Sequence, residues 1–239
     1  MDDKQKLKSA GVVAGSIVEL LSVGMIYILS QIFVIFIIAA FGLGESSELS
    51  SRPMLVLSFY LIGGVVTISL TLGLMKLRKI GFSLLKFKKY HIKDLGYALV
   101  GYIIYMLIAL FVSGLVRLIP GVDLDQKQEL GLDTVSQSLL PLIFIALVIM
   151  PPLVEEILFR GFLYGRLRHH KLSPLFAAII TSVAFGVVHG QLNVAIDTFV
   201  LSMVMIYMLE KRKSLWVTIT IHALKNAVAF LALFVFKIV

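Results

Sequence analysis

Cysteine is absent from this 239-residue chain. That excludes disulfides, thiolate metal sites and a cysteine nucleophile. Charge is scarce as well: Asp, Glu, Lys and Arg make up 15% of the residues, against about 25% in soluble domains. Neither an internal repeat nor a low-complexity segment is visible. What fills the chain is apolar, with 59% hydrophobic residues and a mean hydropathy of +0.99. A soluble globular enzyme, a disordered chain and a fibrous repeat are thereby ruled out. The expected fold is an all-α polytopic membrane protein. About 20 apolar residues span a bilayer as a helix, so the length allows roughly seven spans with short loops and no separate soluble domain.

Seven apolar segments follow one another. The first, about Gly11 to Gly44, is too long for a signal-peptide core and reads as an uncleaved span. Its core is Leu21 to Phe41, and Glu19 lies near its inner end, within reach of the headgroups. The others cover about Met54 to Met75, Leu95 to Leu118, Leu139 through the Pro151-Pro152 pair, Leu172 to His189, Leu192 to Leu209, and Leu215 to Phe236. The net charge is +8, and the basic residues cluster. Lys76, Arg78, Lys79, Lys86, Lys88, Lys89 and Lys93 follow the second span. Arg166, Arg168 and Lys171 follow the fourth, and Lys211, Arg212 and Lys213 the sixth. The alternate loops carry Glu45 and Glu48 with Arg52, then Asp123, Asp125, Glu129 and Asp133 with Arg117 and Lys127. Lys and Arg mark the cytoplasmic side, so the N-terminus is expected inside and the C-terminus outside. This use of the basic charge leaves no role for nucleic acid. Residues 80–93 are expected to form a basic interfacial helix, with Trp216 as an interfacial anchor.

Several charges fall where a bilayer should be. The fourth span contains Glu155, Glu156 and Arg160, and each ionisable residue near a helix centre costs roughly 2.5–3.5 kcal/mol on insertion scales. Such residues face partners or a cavity and are candidates for function. An i,i+4 pair of Glu156 with Arg160 accounts for one carboxylate. Glu155, about 100° further round the helix, needs another partner or water. His189 ends the fifth span. His222 and Asn226 in the seventh share one helix face; helix–helix hydrogen bonding is their plainer reading. Asp197 and Lys225 are further buried charges without a motif. Together a carboxylate, two histidines and an asparagine are the parts of a hydrolase. Carboxylate or imidazole serves as general base, and imidazole and amide serve as donors to an oxyanion. Rival chemistries lack their signatures. There is no His-Glu-x-x-His, no Gly-x-Ser-x-Gly, and neither the Gly-x-Ser-Gly nor the Gly-x-Gly-Asp of other intramembrane proteases.

Glu155-Glu156-x-x-x-Arg160, Phe185-x-x-x-His189 and His222-x-x-x-Asn226, in that order, resemble the three motifs of the CPBP family. These are the CAAX and bacteriocin-processing (Abi) intramembrane proteases related to the Ras- and a-factor-converting enzyme. The resemblance covers roughly residues 139–236, the expected catalytic core of a single membrane domain. Residues 11–136 are expected to be scaffold. It implies an endopeptidase in a bacterial plasma membrane, acting on a peptide or prenylated protein, with its site open to the cytoplasm and Glu155 as the catalytic glutamate. In the expected mechanism Glu155 and His189 activate a water, His222 and Asn226 stabilise the oxyanion, and Glu156 with Arg160 fixes the span. No cofactor is expected. The alternative is a zinc site built from Glu155, His189 and His222. Two other classes stay open: a transporter or proton-coupled channel, and a non-catalytic bacteriocin-immunity or scaffold protein.

Overall fold

The computed structural model describes residues 3–40, 53–126, 132 and 136–237. Among these, all regular structure is helical. A bilayer core offers no water to backbone N–H and C=O groups, and a helix satisfies them within one segment. The apolar helices run in the expected order: α1 Asp3–Ala40, α2 Pro53–Leu77, α3 Ile92–Val116, α4 Gln137–His169, α5 Pro174–Val187, α6 Leu192–Arg212 and α7 Leu215–Val235. All but α5 are long and apolar enough to cross a membrane. The 14 residues of α5 reach about 21 Å at 1.5 Å per residue, short of a hydrocarbon core of about 30 Å. The expected span of Leu172 to His189 is trimmed at both ends for local reasons. Ser173 caps the start, its Oγ accepting the Phe176 N–H at 3.3 Å, and Pro174 takes the first helical position. After His189, Gly190 turns the chain at a φ of +72°, which glycine adopts without steric cost.

α4 is the central element. It packs against α1, α2, α5 and α7, while α1 pairs with α2, α5 with α6, and α3 lies on α6 and α7. It is not a uniform helix: π-helical turns occupy Ile145–Ile149 and Glu156–Leu163. The first stands directly ahead of Pro151 and Pro152. A proline has no N–H and its ring crowds the carbonyl four residues back; a widened turn relieves that crowding. Accordingly the Met150 N–H reaches back five residues to Ile145 O.

The basic loops meet at one end of the bundle. Glu19 does not reach out to headgroups. It is 2% exposed and clasped by Arg78 (3.1 Å), Arg166 (2.9 Å) and His170 (3.1 Å), because a carboxylate withdrawn from water needs opposite charge. Lys86 pairs with Glu210 at 3.3 Å, and Arg212 with Asp94 at 2.8 Å. The expected interfacial helix over 80–93 is not formed. Only Phe82–Leu85 makes a 3-10 turn, which Lys86 ends in the left-handed region. The following chain is held instead by Trp216, whose Nε1 donates to Lys88 O at 2.9 Å while its ring meets Phe87 and Tyr90. At the other end Arg117 pairs with Asp125. Glu45, Glu48, Arg52, Lys127, Glu129 and Asp133, which enter the charge census, lie outside the described residues.

α5 and α6 approach closely. A Cβ at Gly186 would stand 2.8 Å from the Ala195 carbonyl oxygen, and Ser182 Oγ donates to Ser202 Oγ across the same interface at 2.7 Å. Gly186→Ala is therefore expected to lower stability by about 1–3 kcal/mol, read as a lower thermal midpoint in detergent. Gly24→Ala, whose Cβ would meet nothing within 4 Å, is the control and should not lower it.

Candidate active site

The two adjacent glutamates of α4 have opposite surroundings. Glu156 is 0% exposed, whereas the Glu155 side chain is 29% exposed. Neighbours on a helix point about 100° apart, so one carboxylate enters the packed interior and the other a cavity. Inside, Glu156 Oε1 accepts from Arg160 Nη1 at 2.9 Å and from His222 Nδ1 at 3.0 Å. Arg160 leaves Nε and Nη2 without hydrogen bonds. Its guanidinium instead lies over the Phe185 ring, 4.0 Å from the centroid, where the ring's negative face attracts a cation.

Phe185, which the sequence marks as part of a motif but without a role, is the hub of the site. Fully buried, it touches Arg160 with its face and stands edge-on to His189 at 4.9 Å and to His222 at 5.9 Å. Its carbonyl receives the His189 Nδ1–H at 2.7 Å. The signal was the Phe-x-x-x-His spacing, which puts the Phe185 carbonyl one helical turn before the histidine.

Glu155, His189, His222 and Asn226 line one cavity of about 500 Å³. His222 stands between the two glutamates. Its Nδ1 is held by Glu156, and its Nε2 lies 3.9 Å from Glu155 Oε2. That gap is too long for a direct hydrogen bond, and Glu155 Oε2 is buried without a hydrogen-bond partner. Asn226 donates from Nδ2 to Leu147 O at 2.9 Å. The N-terminal helices reach the cavity as well, for α1 supplies Tyr27 and Gln31 to its wall and α2 supplies Tyr60 and Thr67. No residue pattern in those spans had marked them.

Lys225 lines the cavity too, and its partner is an acid. Its Nζ is 3.5 Å from Asp197 Oδ2, and Tyr105 donates to Asp197 Oδ1 at 2.6 Å. α3, α6 and α7 are thereby joined through one carboxylate. For zinc, Glu155, His189 and His222 would have to converge as ligands. With each Nδ1 on a protein acceptor, both histidines would have to ligate through Nε2, and among the described residues no three His, Asp or Glu side chains are arranged to hold a metal ion.

Residues 137–228 match the sequence model of the family described as "Type II CAAX prenyl endopeptidase Rce1-like". The match opens with α4 and ends just beyond Asn226. It contains every residue of the three motifs and leaves α1 to α3 outside. A curated relative, "Putative membrane peptidase YdiL" of Bacillus subtilis (strain 168), is 29% identical over 137 residues, 56% of this chain and 55% of the relative. The chain thus spans about half the length of that relative. No solved structure matches. Helices α4 to α7 are therefore similar to the Rce1-like family over the same stretch that carries the three motifs.

The interior glutamate should matter for folding. Glu156→Gln removes the charge facing Arg160 and leaves His222 and Arg160 only a neutral amide oxygen to share. Breaking a buried pair from one side costs about 3–5 kcal/mol, so the thermal midpoint in detergent should fall steeply. Glu155→Gln, altering a carboxylate with no hydrogen bond at Oε2, should leave it near the parent value. An unchanged midpoint for Glu156→Gln would mean that Phe185 alone holds Arg160.

Proposed function

We propose that the protein is an intramembrane endopeptidase that hydrolyses a peptide bond by a glutamate-activated water. The observation that carries this reading is the contrast between the twin carboxylates. Glu155 opens on a cavity shared with His189, His222 and Asn226, while Glu156 is sealed into an ion pair. A cavity of about 500 Å³ is within the usual range for ligand sites, about 300–1,000 Å³, and its wall is built from helices that cross the membrane.

Each residue has a role. The His189 Nδ1–H is fixed on Phe185 O, so Nε2 is the nitrogen that holds the water. Glu155 takes a proton from this water, whose oxygen attacks the scissile carbonyl. The tetrahedral oxyanion accepts from the second N–H of Asn226 and from the Nε2–H of His222, which acts as an imidazolium and keeps its Nδ1–H on Glu156. His222 is aimed for this by the Glu156 acceptor on its other nitrogen, which fixes the orientation of the ring. Glu155, now protonated, returns the proton to the leaving nitrogen, and the C–N bond breaks. No cofactor enters these steps.

The substrate is a peptide or protein presented from the membrane. The family description names prenylated CAAX ends, and the relative is described only as a membrane peptidase. The loops at 76–94, 166–171 and 210–213 hold most of the Lys and Arg. By the positive-inside rule they lie in the cytoplasm, here of a bacterial plasma membrane. The Lys225–Asp197 pair beside the cavity is the one observation that favours a transporter instead.

Peptide mass spectrometry on membranes decides between them. Glu155→Gln should reduce cleavage by at least about a hundredfold, the lower scale of general-base catalysis, at normal folded yield. Parent activity should persist in strong chelator. A fully active Glu155→Gln sinks the protease reading, and loss on chelation with recovery on added zinc replaces the mechanism. The orientation has its own test, made simple by the cysteine-free chain. Single cysteines at Lys88, His169 and Lys211 should resist impermeant reagents applied to intact cells, and one at Asp123 should react. The reverse pattern inverts the topology.

A further inference from the structure

In an α-helix the carbonyl of residue i accepts from the N–H of residue i+4, and in a π-turn from that of residue i+5. For Leu147 those residues are Pro151 and Pro152, and neither has an N–H. The remaining nearby N–H, on Met150, is already bonded to Ile145 O. The Leu147 carbonyl thus has no backbone donor inside α4. The donor comes from α7: Asn226 Nδ2 reaches Leu147 O at 2.9 Å. Leu147 and Asn226 both line the cavity.

We infer that Pro151 and Pro152 are positioning residues for the Asn226 amide. By removing both donors that would otherwise occupy Leu147 O, they leave an acceptor that a side chain from another helix fills. An amide nitrogen carries two N–H groups in one plane. Committing one to Leu147 O sets that plane and leaves the second for a ligand in the cavity. A proline pair in a helix interior is costly; here the lost bond is transferred to α7, and the missing backbone donors orient a side-chain donor. The inference rests on the reading of Asn226 as an oxyanion donor. Its structural half, the coupling of two prolines to an asparagine on another helix, stands apart from that reading.

The test is a double-mutant cycle on the full-length protein in detergent, with peptide cleavage and thermal midpoint as readouts. Pro151→Ala/Pro152→Ala gives Leu147 O its own backbone donors and frees the Asn226 amide. Expected is a kcat at least about tenfold lower with KM within about twofold, the pattern of a transition-state donor moved off line. The midpoint should be unchanged or higher. In an Asn226→Ala background the proline substitutions should not lower kcat further. Asn226→Ala should depress the midpoint strongly with the prolines present and weakly without them. Should the double replacement not fold, Pro151→Ala and Pro152→Ala each restore one donor and are carried through the same cycle. Full activity of the proline variants, or a kcat loss equally large without Asn226, overturns the inference. So do additive effects on the midpoint. Glu155→Gln measured alongside separates the two readings. If it is inactive while the proline variants are fully active, this inference falls and the protease reading stands. If it is active, the protease reading falls and the midpoint coupling alone decides whether the prolines set the amide.

Discussion

Glu156 and Arg160 face each other at 2.9 Å with neither side chain exposed, and the rest of the candidate site is arranged around that contact. Two charges taken out of water lose several kcal/mol each in solvation, and their attraction offsets this only when the geometry is good and the leftover polar atoms find company. Here the company is the site itself, although Glu156 Oε2 has no hydrogen-bond partner. Glu156 takes the Nδ1–H of His222 as a second donor. Arg160 lays its uncommitted edge on Phe185, and Phe185 then fixes His189 by its ring and its carbonyl. A pair that a soluble protein would gain little from becomes, in an apolar bundle, the point from which α4, α5 and α7 take their register.

The same shortage of water governs the backbone. In a soluble enzyme a proline-freed carbonyl turns to solvent. Inside this bundle Leu147 O takes its donor from Asn226 on α7, so a defect in one helix becomes a bond to another. The π-turns of α4 belong to this accounting. They carry the chain past Pro151-Pro152 and then lead into the stretch where Glu156 and Arg160 stand. Widened turns of this kind occur often at functional sites.

Intramembrane charge is not by itself a sign of chemistry. Glu19 is as apolar in its sequence surroundings as Glu155, yet it is clasped by Arg78, Arg166 and His170 and binds α1 to the basic end. Asp197 is taken up by Lys225 and Tyr105. What distinguishes Glu155 is a carboxylate oxygen left unbonded beside a cavity, a difference of surroundings rather than of residue type.

Composition and the length of the apolar runs determined that this chain is a helical membrane protein, because a run of about 20 apolar residues satisfies its backbone in lipid as a helix. Spacing determined more: Glu156 to Arg160 and His222 to Asn226 recur at one helical turn, so their shared faces were legible before any packing was known. The charge count likewise placed the three basic loops together, and they do meet. Tertiary structure decided which glutamate faces inward, since a 100° step says that Glu155 and Glu156 differ but not which way the helix is turned. It brought Tyr27 and Tyr60 to the cavity wall from spans without a motif, and it replaced the expected interfacial helix with a strap held by Trp216. It also decided the partners of Asp197, Lys225 and Leu147 O, because contacts between residues tens of positions apart depend on how helices rotate and tilt against one another, which local periodicity does not encode.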